Sequence, residues 1–433
     1  MLDKKGILWL TAAALAALFL PGCGAMPVFS QQEQPAALEF QAPAVTPAPT
    51  PQPTPAPTPQ PTPSYLRVGA VGDIMMMQSQ ISGAWSEPLG EYDFTPSFMA
   101  MQEVFQRADI LCCNLEVPLA GEENGGYSGP APAQPTPGLD GVTPEKERQT
   151  FNAPDALATS LKTVGFDVVT TANNHCLDRG VQGALRTVEV LHQAGIKQTG
   201  VYLSRQDREG RACVMEANGI RIGLIGWTFS VNGNEGKMSA DEREWMVGRT
   251  GNQERMVQDI ALCREAGAEF IIAFPHWDVE FESAPASSTR KLAAWLLEQG
   301  VDAVLGSHPH VVQPVEYLTV EREAGPYTGL VAFSMGNFLS NMFPAPKNYG
   351  MYLELTLEKD PFTGQVRLYD AGYLPTLCSK SKVEGRTLHQ VWPGWPGQGG
   401  ELEQAYDHVK RVCGEAIRVL SLQGENPAAG KTA

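Results

Sequence analysis

The stretch Phe166-Asp-Val-Val-Thr-Thr-Ala-Asn-Asn-His-Cys-Leu-Asp-Arg-Gly180 changes character in its middle, and this change decides the fold. Its first residues, up to Thr171, are apolar and β-branched, as in a buried strand, whereas the residues that follow favour a turn. Four polar side chains stand just beyond this predicted strand: Asn173, Asn174, His175 and Asp178. Open α/β sheets bind ligands at this end of their strands, because the loops that leave the strands converge there. Taken alone, the stretch fits either a ligand site or a strand end whose polar side chains satisfy buried backbone groups.

The same unit, a buried strand that ends in polar side chains, recurs along the chain. Apolar runs end at Asp73, at Asn114-Leu-Glu116, at His276, at His308-Pro-His310 and at Gly336-Asn337. Helical spacing of apolar residues predicts helices at 96–107, 154–165, 181–195, 252–266 and 287–298. Because helices and buried strands alternate, the sequence predicts an α/β fold built on a parallel sheet.

Other segments predict antiparallel strands. Asn218-Gly219 joins two apolar runs within 212–227, which is the strongest short signal for a β-hairpin. Residues 349–357 and 366–374 alternate apolar and polar side chains, so we expect them at a half-exposed sheet edge.

Composition limits the classes of protein to consider. The chain has 433 residues, of which 43% are hydrophobic, enough for one large domain or two ordinary ones. Its formal net charge is −16 and it contains no basic run, which argues against nucleic acid as a partner. The eight cysteines form no C-x-x-C pair, so neither a disulfide framework nor a structural zinc site is indicated. Cys112 and Cys113 are adjacent on a predicted strand, so we expect at most one of them in the core.

The first residues are predicted to be an export signal. Lys4 and Lys5 precede an apolar run that ends in Leu20-Pro-Gly-Cys23. This ending resembles the lipobox of bacterial lipoproteins, which implies that residues 1–22 are a signal peptide and that Cys23 carries a lipid. We therefore expect the protein to be anchored to the outer face of a bacterial membrane. An ordinary secretory peptide cleaved elsewhere and an uncleaved anchor are the alternatives.

The rest of the chain divides by composition into three segments. Residues 23–64 are rich in Thr-Pro and Gln-Pro repeats, which predict a disordered linker in extended polyproline conformation. Residues 65–380 are predicted to be the folded domain, with 121–150 as an inserted glycine- and proline-rich loop. Residues 381–433 are predicted to be a polar tail with one helix.

The polar strand ends together predict a metal site. Six side chains of metal-ligand type lie at such ends: Asp73, Glu116, Asn174, His276, His308 and His310. A parallel sheet brings these ends together, and mixed oxygen and imidazole groups suit divalent transition metals. The set is large enough for a pair of ions. A polar belt that only caps the sheet is the structural alternative.

Six sequence blocks resemble those of the CapA family of bacterial capsule or poly-γ-glutamate synthesis proteins. They are Gly72-Asp73, Asn114-Leu-Glu116, Ala172-Asn-Asn-His-Cys-Leu-Asp-Arg-Gly180, Pro275-His-Trp277, Gly306-Ser-His-Pro-His-Val-Val-Gln313 and Ser334-Met-Gly-Asn-Phe338. That family is similar in turn to calcineurin-like metallophosphoesterases. The resemblance implies a four-layer α/β/β/α sandwich with a two-metal site between the sheets.

The resemblance also implies roles for individual residues. Asp73, Glu116 and Asn174 would be oxygen ligands, with His276, His308 and His310 as nitrogen ligands for manganese, iron or zinc. His175, steadied by Asp178, would be the general acid or a phosphate contact. Five further residues are expected around these ligands or at the substrate: Asn114, Asn173, Asp278, Glu280 and Asn337.

Three positions depart from the patterns that the resemblance brings with it. Met75 stands where phosphoesterases have histidine, and Asn114-Leu-Glu116 stands where they have Gly-Asp. Asp278 replaces a residue that is more often glycine within the CapA family, and we expect its carboxylate beside His276. The first two departures weaken the inference of phosphoesterase activity from the fold.

Two functions follow as hypotheses. In the first, the protein is a lipid-anchored accessory of a membrane complex that synthesises or exports capsule or poly-γ-glutamate, and its site either binds carboxylates of this anionic polymer or is a structural remnant. In the second, it is a metal-dependent hydrolase that acts on a phosphoester, or on an amide or ester of a surface polymer.

Overall fold

The computed structural model describes residues 61–128, 150–383 and 385–421. The predicted signal peptide, Cys23, almost all of the predicted linker, residues 129–149 of the predicted loop and the last twelve residues lie outside these ranges. Within the described ranges, no helix combines the length and the apolar composition needed to cross a membrane.

The strands are numbered in chain order. They are β1 (Ser64–Ile74), β2 (Trp85–Ser86), β3 (Glu91–Tyr92), β4 (Ile110–Leu115), β5 (Val168–Thr170), β6 (Lys197–Thr199), β7 (Val214–Ala217), β8 (Ile220–Thr228), β9 (Phe270–His276), β10 (Ala303–Leu305), β11 (Val315–Arg322), β12 (Gly325–Ala332), β13 (Asn337–Leu339), β14 (Tyr349–Lys359), β15 (Val366–Val383), β16 (Arg386–Pro393) and β17 (Arg418–Val419).

The helices are numbered in the same way. They are α1 (Gln78–Ala84), α2 (Gln102–Phe105), α3 (Ala156–Thr163), α4 (Gly180–Gln193), α5 (Arg205–Gly210), α6 (Glu242–Trp245), α7 (Gln253–Glu265), α8 (Ser287–Glu298) and α9 (Gly400–Cys413). Short 3₁₀ turns cover Thr95–Ser97, Met99–Met101 and Asn234–Lys237.

Two large mixed sheets form the centre of the protein. The first has the order β16-β15-β14-β1-β4-β5-β6, with β13 beside β1 and β17 beside β15, and β1, β4, β5 and β6 run parallel. The second has the order β11-β12-β10-β9-β8-β7, with β8, β9, β10 and β12 parallel. The predicted hairpin is confirmed as β7 and β8, whose turn residues Asn218 and Gly219 both have positive φ.

The layers follow from which side chains pack together. Val68 and Ala70 of the first sheet pack with Ile222 and Leu224 of the second, so the two sheets share a core. On the outer face of the first sheet, the buried side chains include those of helix α3; on the outer face of the second, they include those of α7 and α8. The predicted four-layer α/β/β/α sandwich is confirmed.

Strand β4 corrects one expectation. Cys112 packs into the core between the sheets, and Cys113 packs into the core under the outer helices. Both thiols are buried, because a central strand of a four-layer sandwich is covered on both faces.

Strand β14 corrects another expectation, since it is not at a half-exposed edge. It lies between β1 and β15, and all of its residues except Lys359 are buried. Its polar positions are buried in ion pairs: Arg107 Nε lies 3.0 Å from Glu354 Oε2, and Arg367 Nε donates to Glu358 Oε2 at 2.8 Å. The alternating pattern therefore reflects paired carboxylates, not solvent exposure.

The folded domain also extends beyond residue 380, where the sequence pattern predicted a polar tail. β15 continues to Val383, and β16 pairs with it along the sheet. Ala405, Val409 and Cys413 of α9 are buried against the core between the sheets. The helix in this region is confirmed, but α9 presents one apolar face to the domain, so it is not part of a separate tail.

The segment predicted as one helix at 96–107 contains two 3₁₀ turns followed by the short helix α2. Phe98, Met101 and Val104 are nevertheless buried together. The reason is that side chains three residues apart also share one face of a 3₁₀ helix, so the apolar spacing does not distinguish the two.

Candidate metal centre

The carboxyl ends of parallel strands from both sheets meet at one place. β1 ends beside Asp73, the chain after β4 presents Glu116, and the loop after β5 presents Asn174. From the second sheet, β9 ends in His276, and the segment after β10 carries His308 and His310. All six side chains are buried. The structure brings together every residue that the sequence predicted as a metal ligand.

Two groups of these side chains have the geometry to hold an ion each. One group is Asp73, Glu116 and His276, and the other is Glu116, His308 and His310. Within each group, one ligand atom per residue lies within 4.8 Å of the others. Glu116 belongs to both groups, so its carboxylate would contribute to either one.

Ring nitrogens and oxygens converge on the space between the two groups. Nε2 of His276 lies 2.9 Å from Asn174 Oδ1, 3.1 Å from His308 Nδ1 and 3.4 Å from Glu116 Oε1. One imidazole N–H can serve only one of these acceptors well. A cation at this point would satisfy all of these lone pairs together.

A buried oxygen of Glu116 gives an independent test of this fit. Glu116 is fully buried, and its Oε1 accepts no hydrogen bond. Leaving a buried carboxylate oxygen without a partner is costly, and native structures rarely do so. Oxygen and imidazole donors of this kind suit manganese, iron or zinc. The residues present therefore fit a divalent metal.

Burial and mutual charge set the protonation of the metal-free cluster. Burial, reinforced by Asp73, raises the pKa of Glu116 well above its usual value. Burial lowers the pKa of His276 to about 3 and that of His308 to about 2. Burial also opposes protonation of His310, but the Glu116 and Asp73 carboxylates outweigh it and raise the pKa of His310 to about 9. Neutral His276 and His308 are in the state that a metal requires.

Hydrogen bonds orient the cluster from behind. Asn114 Nδ2 donates to Asp73 Oδ1 at 2.8 Å, and Asn114 Oδ1 accepts from Asn173 Nδ2 at 3.3 Å. Asn337 Oδ1 lies 3.1 Å from His310 Nδ1. Asn114, Asn173 and Asn337 therefore lie around the predicted ligands, as expected from the sequence.

The backbone at the two histidines is held in a left-handed conformation. φ is +101° at His308 and +58° at His310, values that non-glycine residues rarely adopt. A Cβ at Gly72 would collide with the carbonyl oxygen of Gly336, so glycine lets these two loops meet behind Asp73. Backbone strain such as that at His308 and His310 is concentrated at functional sites.

His175 stands beside the cluster with its own carboxylate partner. Its Nδ1 lies 2.8 Å from Asp178 Oδ2, which also accepts the Phe151 N–H at 2.7 Å. Burial lowers the pKa of His175, but Asp178 more than offsets this and raises it above the usual value. The His175 side chain is 12% exposed, so part of it lies at the protein surface. This is the arrangement expected of a general acid.

Asp278 has a role other than the one expected, whereas Glu280 lies near enough to the cluster to act on it. The Asp278 carboxylate accepts the Ala286 N–H at 3.2 Å and the Gln313 Nε2–H at 3.2 Å, so it fastens the entry to α8 instead of contacting His276. Asp278 has a φ of +76°, and with this left-handed backbone its side chain lies against Ala286 and Gln313. Glu280 is exposed and acts on the cluster through its charge, which contributes to raising the pKa of Glu116 and of His310.

Met75 and Ser307 complete the surroundings. Met75, at the position of the missing histidine, is fully buried in the apolar core. Ser307 was not predicted as a site residue, yet its Oγ lies 3.0 Å from His276 Nδ1 and orients that ring. The only sequence signal for this role of Ser307 was that it directly precedes His308.

This fold and this buried cluster define a class of protein: four-layer α/β/β/α sandwiches with a candidate divalent-metal centre at the strand ends. More specifically, the chain belongs to the family described as bacterial capsule synthesis protein PGA_cap, whose family model matches residues 67–342. The resemblance drawn from the six sequence blocks is thereby confirmed.

Two relatives by sequence agree with this assignment. The PGA biosynthesis protein CapA of Bacillus subtilis (strain 168) is 26% identical over 359 residues, which cover 80% of this chain and 84% of the relative. The capsule biosynthesis protein CapA of Bacillus anthracis is 22% identical, with coverage of 63% and 59%. Among solved structures, the calcineurin-like phosphoesterase YfkN of Bacillus subtilis is 16% identical with a TM-score of 0.41, covering 72% of this chain and 91% of that chain.

Proposed function

We propose that this protein is a metal-dependent accessory of capsule or poly-γ-glutamate synthesis or export, and that it binds the anionic polymer at the centre built on Glu116. Family membership and the capsule and PGA biosynthesis relatives support the cellular role. The observation that carries the metal-dependent part is buried Glu116, which belongs to both ligand groups and whose Oε1 accepts no hydrogen bond.

Charge explains why a metal is needed for this role. The chain has a formal net charge of −16, which repels a polyanion over the whole surface. Attraction must therefore be local. When bound, divalent ions supply positive charge and Lewis acidity toward carboxylate or phosphoryl oxygens. Those ions would be held by Asp73, Glu116, Asn174 and the three histidines, and the surrounding asparagines fix the positions of these side chains.

We propose that the domain works on the outer face of the bacterial membrane, attached through a lipid on Cys23. The Leu20-Pro-Gly-Cys23 ending and the proline-rich segment after it support this location. Metabolic labelling with a fatty acid should mark the wild-type protein and leave Cys23→Ser unlabelled. Labelling of Cys23→Ser would contradict the anchor.

The polymer-binding role is tested on the purified protein. Manganese, iron or zinc should co-purify or bind, and the loaded protein should retain poly-γ-glutamate in a binding assay. Chelation should abolish retention, and returning the metal should restore it. Equal retention with and without metal would contradict the proposal, as would a protein that binds no divalent metal.

A second function, metal-dependent hydrolysis, is favoured by one specific observation. His175 and Asp178 form a hydrogen-bonded pair beside the cluster, and polymer binding alone does not need such a pair. A screen of generic phosphoesters and γ-linked glutamyl peptides tests this alternative. Turnover that is lost in His175→Ala while the metal content is retained would establish the hydrolase, and a metal-loaded protein without turnover would favour the accessory.

A further inference from the structure

Two exposed phenylalanine rings, those of Phe229 and Phe281, lie beside the histidines of the metal centre. We call this surface the mouth of the metal centre. The Phe229 ring lies 4.9 Å from the His308 ring, and the Phe281 ring lies 6.0 Å from the His310 ring. Phe229 is 44% exposed and Phe281 is 49% exposed, although the histidines that they face are buried. Large apolar side chains exposed beside a buried polar site are typical of ligand contacts.

The conformation of Phe281 is also unusual. Its φ is +67°, which is a rare conformation for a bulky residue and costs conformational energy. The Phe281 N–H donates to the Pro309 carbonyl oxygen at 2.7 Å, which ties this strained residue to the histidine segment. Buried Gln313 donates to the Glu282 carbonyl oxygen at 2.9 Å and to Asp278 Oδ2 at 3.2 Å. The loop that carries Phe281 is thus fixed from both sides.

A cation completes this mouth. Lys347 Nζ lies 5.0 Å from the centre of the Phe281 ring. The Lys347 carbonyl oxygen accepts from Asn337 Nδ2 at 2.7 Å, so the lysine is attached to the residue that contacts His310. The mouth therefore presents two apolar rings next to the histidines and a positive charge beside one of these rings.

We propose that Phe229, Phe281 and Lys347 form a subsite for the part of the polymer that neighbours the group held at the metal centre. Methylene segments of an anionic chain pack on the two rings, and a carboxylate further along the same chain pairs with Lys347. This inference rests on the proposed function, because it names the residues that select the polymer at that same site. Selectivity arises because a small oxyanion reaches the ions but not the rings or the lysine.

The test uses the full chain loaded with Mn²⁺, with the metal content measured for every variant. Two probes are titrated: a short γ-linked glutamate oligomer and inorganic phosphate. Phe281→Ala and Lys347→Gln should each weaken oligomer binding by about tenfold and leave phosphate binding and metal content unchanged. Matched controls are Phe362→Ala, in the turn between β14 and β15, and Lys291→Gln, on α8. Both residues are exposed and neither belongs to the metal centre, so these variants should bind both probes like the wild type.

Each other outcome overturns the subsite. Unchanged oligomer affinity in both variants would show that the mouth does not contact the polymer, while the proposed function would stand. Parallel losses of oligomer, phosphate and metal would show that Phe281 acts only by supporting the histidines. A metal-loaded wild type that binds phosphate but no oligomer would overturn the subsite and the proposed function together.

Discussion

Asn174 Oδ1 lies 2.9 Å from His276 Nε2, although 102 residues separate the two in sequence. Asn174 follows a strand of the first sheet and His276 ends a strand of the second, so this contact joins the two sheets at the site. Ser307 Oγ faces the other ring nitrogen at 3.0 Å. If a metal binds His276 through Nε2, the ring proton must be on Nδ1, which would then donate to Ser307 Oγ. Asn174 would be a second ligand of the same ion.

Glu116→Gln should remove metal from both halves of the centre. Glutamine keeps the size of the side chain but loses the charge and one acceptor, and the two ligand groups share this residue. We expect affinity to fall by more than the roughly 10–100-fold that loss of an outer contact costs. Elemental analysis of the dialysed protein measures this, with exposed Glu254→Gln as the control. Full metal content in Glu116→Gln would show that Glu116 is not a ligand.

Replacing His308 and His310 together by alanine should abolish stoichiometric metal binding. The two imidazoles are the only nitrogen donors in one of the two ligand groups, and His308 Nδ1 also lies 3.1 Å from His276 Nε2 in the other. His192→Ala is a suitable control, since that histidine belongs to helix α4 and to neither group. Titration with manganese and zinc, followed by circular dichroism to verify folding, gives the measurement. A folded double variant that retains stoichiometric metal would refute the assignment.

Metal affinity should rise with pH between about 6 and 9. Burial disfavours protonation of His310, but Glu116 and Asp73 outweigh it and raise the pKa to about 9, so the metal-free ring carries a proton at neutral pH. A metal must displace that proton, which costs about tenfold in affinity for each pH unit below the pKa. Calorimetry in buffers of different ionisation enthalpy should detect proton release at pH 7. Affinity that is constant across this range would contradict the protonated state of His310.

Much of this site could be predicted from the sequence, because strand ends are visible as local patterns. Asp73, Asn174 and His276 each follow an apolar run, and a parallel sheet must gather such ends. The membership of Glu116 in both ligand groups could not be predicted, since it depends on the offset between β1 and β4: the Glu116 N–H donates to the Ile74 carbonyl oxygen at 2.9 Å. Geometry of this kind arises from strand register, which side-chain pattern does not encode.

Other features depend on contacts that are distant in sequence. The burial of β14 requires Arg107 to reach Glu354, a partner 247 residues away. Asp278 follows His276 closely, which predicted a contact between them, but a left-handed backbone turns the carboxylate toward Gln313. Local pattern shows that a residue is polar and near a strand end, whereas its partner is set by the tertiary structure.

Asp178→Asn should shift the pH dependence of any hydrolysis. Burial lowers the pKa of His175, and the Asp178 carboxylate outweighs this effect, so removing its charge lowers the pKa. A general acid works only while protonated, so the alkaline limb of the rate profile should move to lower pH. The profile of kcat on the best phosphoester or glutamyl peptide tests this, with metal content measured in parallel. An alkaline limb at the wild-type position would exclude His175 as the acid.

Gly306→Ala should destabilise the protein and weaken metal binding together. A Cβ at this position would collide with the Phe333 carbonyl oxygen and with Trp277 Nε1. These two atoms are already joined, because Trp277 Nε1 donates to the Phe333 carbonyl oxygen at 2.9 Å. Neither group can move easily, since both residues are buried, and overpacking of this kind costs about 1–3 kcal/mol. Urea denaturation of the metal-free protein measures the change. Gly236→Ala is the control, because nothing lies within 4 Å of its Cβ position. Gly306 lies two residues before His308, so a backbone shift that relieves the collision would displace the His308 imidazole and weaken metal binding. If Gly306→Ala were as stable as Gly236→Ala, this close packing around Gly306 would be refuted.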